Sequence, residues 1–188
     1  MLDERKRLLR LALQDPDEGV CSAAAEALEQ LESVLGLEQV AEALKSENRG
    51  PRVRAVFALE RLTSPKAFPL LLSALKDPDA DVRAAAVQVL GKKGHPKSLG
   101  GLVQRLKDPH PAVQVHAVEA LGNFRDGRLI PYLSALFREG NEELVVSAVR
   151  SLGKMGLSEA EADLLPLLQD RRSAVRRETA QALGRLDA

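Results

Sequence analysis

A leucine recurs every 31 residues along this chain without a miss: Leu28, Leu59, Leu90, Leu121, Leu152 and Leu183. Three further columns keep the same spacing. They read Leu13, Leu44, Leu75, Leu106, Phe137, Leu168, then Ala24, Ala55, Ala86, Ala117, Ala148, Thr179, then Leu9, Val40, Leu71, Leu102, Leu133, Leu164. A period of this length marks a stack of like units, because a single unit can hide its apolar face only against a neighbour. Six copies fill the 188 residues with no insertion. The approximate repeats are 1–33, 34–63, 64–94, 95–125, 126–156 and 157–188, in a single domain spanning 1–188.

Each copy reads as two helices. In the third, Leu71, Leu72 and Leu75 share one face of a first helix, and Val82, Ala86, Val87 and Leu90 share one face of a second. Asp77-Pro78 stops the first, since the residue before a proline is pushed out of the α region. Gly91 and Gly94 are expected to end the second. The column Asp17, Asn48, Asp79, His110, Asn141, Arg172 supplies N-caps from three or four of its members. Glu29 and Glu60 stand where later copies have Gly91, Gly122, Gly153 and Gly184, so the second helices there should run on through Leu31 and Leu62. Pro166 should kink the first helix of the last copy. The expected fold is all-α, a right-handed α-solenoid of six helical hairpins.

The string from Asp77-Pro78-Asp79 through Val82-Arg83 to Leu90-Gly91 resembles the HEAT repeat in its short bacterial form, the type found in phycocyanobilin lyase subunits. Asp108-Pro109 through Leu121-Gly122, and Asp170 through Leu183-Gly184, repeat it. The resemblance implies that second helices line a concave binding face. It also implies a polar ladder between copies, made by the turn Asp and an Arg six residues on. That pair is complete at Asp77/Arg83 and Asp170/Arg176, and broken at Asp15/Cys21, Ser46/Arg52, Asp108/Gln114 and Glu139/Val145.

Residues able to do chemistry are few. Iron hydroxylases related to this repeat family use adjacent His-Glu pairs, and no such pair occurs here. His116 and Glu119 are three apart with no mirrored set, while His95 and His110 fall in turns. Gly100-Gly101 lacks the lysine and hydroxyl of a phosphate loop. The lone Cys21 excludes an internal disulfide and reads as a half-buried structural thiol in a reducing compartment. No enzyme, no cofactor and no metal are therefore expected. The 27 basic and 27 acidic residues cancel, and without tryptophan or a strongly basic pI nucleic acid is a minor reading. The most apolar stretch, Phe68–Leu75, is broken by Pro69 and Ser73, so no membrane span is expected. With acidic Asp3 and Glu4 opening the chain, a signal peptide is not expected and the cytoplasm is the expected location.

What remains is surface. On a second helix, the positions +2, +3, +6 and +10 from the first apolar residue point away from the core. They nominate Val53, Arg54, Phe57, Arg61, Lys92, Val115, His116, Val146 and Lys154 as partner-binding residues. Residues 35–125 have a net charge of +5, against −4 before them and −1 after, so the middle could steer an acidic segment. The expected function is a non-enzymatic scaffold or adaptor that holds a peptide segment or helix of a protein partner. The alternatives are a bilin lyase-like chromophore chaperone and, below it, a nucleic-acid-binding HEAT-like protein. Charged residues at both ends, Asp3 to Arg7 and Glu159, Glu161, Asp163, suggest capped end repeats and a monomer.

Overall fold

The structure is a computed structural model that describes residues 1–62 and 64–187, with Ser33 described by its backbone alone. Thr63, which closes the second expected repeat, and Ala188 lie outside the described residues. Every regular element among the described residues is helical. In chain order these are α1 (Leu2–Ala12), α2 (Glu18–Ala43), α3 (Arg49–Arg61), α4 (Ala67–Ala74), α5 (Ala80–Lys93), α6 (Leu99–Arg105), α7 (Pro111–Leu121), α8 (Ile130–Ser134), α9 (Glu142–Met155), α10 (Glu161–Leu164) and α11 (Ser173–Leu183). Contacts divide the chain into two compact units, Met1–Leu70 and Leu71–Ala188.

In the second unit the columns found in the sequence become a core. Leu71, Leu90, Leu102, Leu121, Leu133, Leu152 and Leu164 are all fully buried, as are Ala86, Ala117, Ala148 and Thr179. The second helices stack side by side, α5 on α7, α7 on α9, and α9 on α11. At about 25 cal/mol per Å² of apolar surface, each such leucine contributes roughly 2 kcal/mol. The stack is therefore held mainly by these registered contacts.

The glycine column does two jobs: Gly122 and Gly184 stand at the ends of α7 and α11, whereas the other two do not end their helices. Gly91 and Gly153 lie inside α5 and α9, which run on to Lys93 and Met155. These two helices end at Gly94, as expected, and at Gly156, whose φ values of 61° and 69° are left-handed. A Cβ on Gly91 would lie 2.6 Å from Ala120 Cβ, one on Gly122 2.8 Å from Ser151 Cβ, and one on Gly153 2.7 Å from Ala182 Cβ. These glycines allow neighbouring second helices to touch through their backbones. Where Pro131 and Pro166 enter the first helices, short 3₁₀ turns replace the α-helix on one side, at Ala135–Arg138 and Leu165–Gln169.

The turns of five of the six copies are clamped by one column, the fifth copy having Val145 there. Arg83 Nη1 donates to the carbonyls of Asp77 and Pro78 at 2.9 and 3.0 Å. Arg52, Gln114 and Arg176 do the same to the carbonyl six residues back, and the half-buried Cys21 thiol donates to Asp15 O at 3.1 Å. The acceptor is thus a backbone oxygen, so the column works whether or not the turn residue is acidic. The Asp/Arg pairing expected from the resemblance is corrected accordingly. The Arg83 guanidinium binds the carboxylate of the next copy, Asp108, at 2.8 Å through both Nε and Nη2. Asp170 is paired with Arg172, not Arg176, at 2.9 and 2.8 Å.

That Asp170–Arg172 pair has a pH consequence. The hydrogen bond from Arg172 holds the Asp170 carboxyl down at about 2, against roughly 3.9 for a free aspartate. A lowered folded-state value means stability that is present above the unfolded value and lost on acidification. Thermal unfolding should therefore show a loss between about pH 4 and pH 2 that is smaller in Arg172→Gln. Equal acid sensitivity in the two proteins would contradict this.

The first unit departs from the regular pattern. Helix α2 runs unbroken for 26 residues through the expected loop between the first two copies. Glu29, Gln30, Leu31 and Glu32 are good helix formers, and no proline or left-handed glycine interrupts them. Helix α3 stops at Arg61, with Leu62 extended, so the expected continuation through Leu62 does not occur. Asp17, Asp79 and Asn141 cap their helices by side chain. Asn48, His110 and Arg172 make no such bond. The end repeats are not polar-capped as expected. Helix α1 buries no residue and leaves Leu2, Leu8 and Leu11 exposed, and Leu165 and Leu168 are exposed in the last copy.

Candidate functional site

Three successive second helices of the second unit, α5, α7 and α9, form a groove of about 430 Å³. Its lining comprises Gln88 and Lys92 from α5, His116, Glu119, Ala120 and Asn123 from α7 and the turn after it, and Arg150, Ser151 and Lys154 from α9. The helix period accounts for this set. Gln88, Glu119 and Arg150 occupy one repeat column, and Lys92, Asn123 and Lys154 another four residues on, so both columns fall on one face of three parallel helices.

Polar side chains cross the groove from helix to helix. Gln88 Nε2 lies 3.1 Å from His116 Nε2, and His116 Nδ1 lies 3.4 Å from Glu119 Oε2. Asn123 Nδ2 donates to Gly91 O at 3.2 Å, while its Oδ1 accepts from Lys154 Nζ at 2.5 Å. Arg150 donates through Nε and Nη2 to the two oxygens of Glu178 at 3.2 and 3.0 Å. That hydrogen bond raises the Arg150 guanidinium above its ordinary value, so it is charged at any working pH. The result is a surface pre-ordered by side-chain bonds, with cationic Lys92, Arg150 and Lys154 around a single lining carboxylate, Glu119. Among the described residues no cluster of three or more His, Cys, Asp or Glu could hold a metal ion.

Of the nominated residues, Lys92, His116 and Lys154 come together in this groove. Val115 and Val146 are half-buried on the same helices and do not line it. Val53, Arg54, Phe57 and Arg61 lie in the first unit on α3, with Arg54, Phe57 and Arg61 exposed and Val53 half-buried. Gln88, Glu119, Asn123 and Arg150 were legible as outward columns but were not singled out. Their signal was the position, four residues apart, of two columns rich in long polar side chains.

No helix among the described residues is long and apolar enough to cross a membrane. No curated protein matches the chain by sequence. Solved structures do. The Escherichia coli protein YibA superposes with a TM-score of 0.64 at 21% identity, over 97% of this chain and 72% of that one. The complex of CpcE and CpcF of phycocyanin lyase from Nostoc sp. PCC7120 gives 0.66 at 20% identity, over 80% of this chain and 99% of that one. A designed armadillo repeat protein in complex with the peptide (KR)4 gives 0.64 at 18%, over 98% and 100%. At these identities the likeness is one of fold, an α-solenoid. The family profile for HEAT repeats matches residues 37–100, 68–151 and 134–188. With these three matches running from 37 to the end on a 31-residue period, the chain belongs to the HEAT-repeat family.

Proposed function

We propose that this protein is a non-enzymatic scaffold that binds an extended, acidic segment of a protein partner along the α5–α7–α9 groove. The observation behind this is the preformed polar lining, in which Lys92 and Lys154 outnumber Glu119, Arg150 being already paired with Glu178, and Lys154 is tied to the neighbouring repeat through Asn123. A surface already ordered loses little entropy when a segment lies down on it. The designed armadillo repeat protein of like fold is in complex with a basic peptide, (KR)4. Here the excess charge of the groove is positive, so the complementary segment is acidic. In this reading Val115 and Val146 border the segment. The α3 face of Val53, Arg54, Phe57 and Arg61 is a second contact point, with Phe57 as an aromatic anchor flanked by positive charge.

The test uses two fluorescent octapeptides, one alternating Glu and Ala and the other (KR)4, titrated against the protein at low salt. The acidic peptide should bind more tightly. Lys92→Glu with Lys154→Glu should weaken it on the order of tenfold or more and reverse the preference. Equal or tighter binding of the basic peptide by the unaltered protein would overturn the reading. The bilin chaperone alternative stands on fold likeness to the CpcE and CpcF complex alone.

A further inference from the structure

We propose that the cleft between the first helices α4 and α6 binds a phosphate group, free or carried by a small molecule. The cleft lies within the second unit, holds about 360 Å³ and shares no lining residue with the α5–α7–α9 groove. Its charged lining is Lys76, Lys97 and Arg105, with no carboxylate among the described residues that line it. Ser73 and Gln104 add a hydroxyl and an amide as neutral donors.

Repeat packing does not account for Arg105. Its column reads Ala12, Ala43, Ala74, Arg105, Leu136, Leu167, and Ala74 and Leu136 are buried. A guanidinium thus stands where every other copy has an apolar side chain, and it is 22% exposed. The carboxylate beside it is already taken. Arg83 holds both oxygens of Asp108 at 2.8 Å, and Arg105 reaches Oδ2 through Nη1 alone, at 3.2 Å. Two arginines around one aspartate leave one positive charge uncompensated. The Nη1 group also donates to Leu75 O at 3.1 Å. The Nε–Nη2 edge, with which Arg83 grips its carboxylate, has no acceptor among the described residues. Buried donors without partners are rare in folded proteins, and Arg105 Nε is one. With Nε enclosed by protein, Nη2 is the nitrogen left for a ligand.

The rest of the cleft suits an anion. The column of position 101 reads Leu8, Gln39, Leu70, Gly101, Tyr132, Asp163. With glycine there, α6 approaches α4 so closely that a Cβ would lie 2.7 Å from Leu75 Cδ1, and the lining is bare backbone. Lys76 and Lys97 are exposed, and neither ammonium makes an ion pair among the described residues. One copy further on, Arg128 takes the place of Lys97 and is forked on Asp126. Position 95, which corresponds to Asp126, is a histidine. No other pair of neighbouring copies puts three cations at these positions. A phosphate offers nearly two negative charges and three acceptor oxygens, which three cations and two neutral donors match better than they match a carboxylate.

The experiment is calorimetric titration and thermal unfolding of the full chain with inorganic phosphate, phenyl phosphate and acetate. Sodium chloride keeps the ionic strength constant. Both phosphates should saturate with a dissociation constant on the order of 1 mM or below and raise the unfolding temperature, and acetate should do neither. Equal affinity of the two marks free phosphate as the ligand, and tighter binding of phenyl phosphate marks a small phosphorylated compound. Arg105→Leu installs the residue of two sister copies, and Lys76→Glu with Lys97→Glu alters exposed positions only. Each should weaken phosphate binding on the order of tenfold or more. Lys92→Glu with Lys154→Glu carries the same change in net charge as the lysine pair and should leave phosphate binding intact. The cleft and the acidic-segment reading of the groove therefore fail separately. No saturation by phosphate below about 10 mM, acetate binding as tightly, or binding lost in the groove variant but kept in the cleft variants would each overturn the proposal.

Discussion

Asp108→Ala is expected to destabilise the second unit by about 3–5 kcal/mol, the range for breaking a buried ion pair from one side. Asp108 is 2% exposed and Arg83 is 8% exposed, so water cannot replace the lost partner. The substitution strips Arg83 Nε and Nη2 of their acceptor, frees the His110 N–H and leaves Arg105 Nη1 only the Leu75 carbonyl. Burial pushes the Asp108 carboxyl up. The bonds from Arg83 and His110 and the charges of Arg83 and Arg105 outweigh that and hold it below its ordinary value. The same pair therefore weakens only as the pH falls below the ordinary carboxylate range. Replacing both partners, Arg83→Met with Asp108→Leu, should recover only part of the loss, since the Asp77 and Pro78 carbonyls then lose the Arg83 donor and the His110 N–H stays without its acceptor. Urea denaturation with hydrogen exchange in α5 and α7 measures it. A single substitution costing under about 1 kcal/mol would place the pair among surface bridges.

Gly91→Leu should be of similar size, about 3 kcal/mol, through overpacking. Even a methyl there would come within 2.6 Å of Ala120 Cβ and 2.9 Å of Ala120 Cα, and backbone cannot step aside as a flexible side chain can. The helices α5 and α7 must separate, which exposes Leu90 and Leu121 at their contact. Gly100→Leu is the control, because a Cβ on Gly100 meets nothing within 4 Å. Replacing glycine by leucine in a helix gains propensity, so position 100 should lose nothing, and comparable losses at positions 91 and 100 in calorimetry would mean that the close approach at Gly91 does not decide the outcome.

Much of the fold was legible because the period is strict. Leu59, Leu90, Leu121 and Leu152 repeat without variation, and all four are fully buried. The places where reading the sequence went astray share a cause. A glycine can end a helix or let another helix come close, and Gly91 looks the same in both roles until its neighbour Ala120 is known. Asp108 and Arg83 are 25 residues apart, so the pairing that matters is invisible to a search within one copy. Capping at the ends was judged from the charge of Asp3 to Arg7, whereas exposure of Leu8 and Leu11 depends on which side of α1 packs on α2.

The groove was half legible for the same reason. Periodicity put Lys92 and Lys154 in one outward column, and they do share a site. It could not say that Asn123, between them in that column, would bridge Gly91 O and Lys154 Nζ and so fix the groove floor. Nor could it separate Val115 and Val146 from the lining, because half-burial between adjacent helices is a property of helix spacing.

The most direct test of the binding account is an NMR titration of the labelled protein with the alternating Glu-Ala octapeptide. Shift changes should concentrate at Gln88, Lys92, His116, Glu119, Asn123, Arg150 and Lys154, the residues around the α5–α7–α9 groove. Changes concentrated instead at the exposed first-helix positions Gln104, Tyr132 and Ala135 would contradict it.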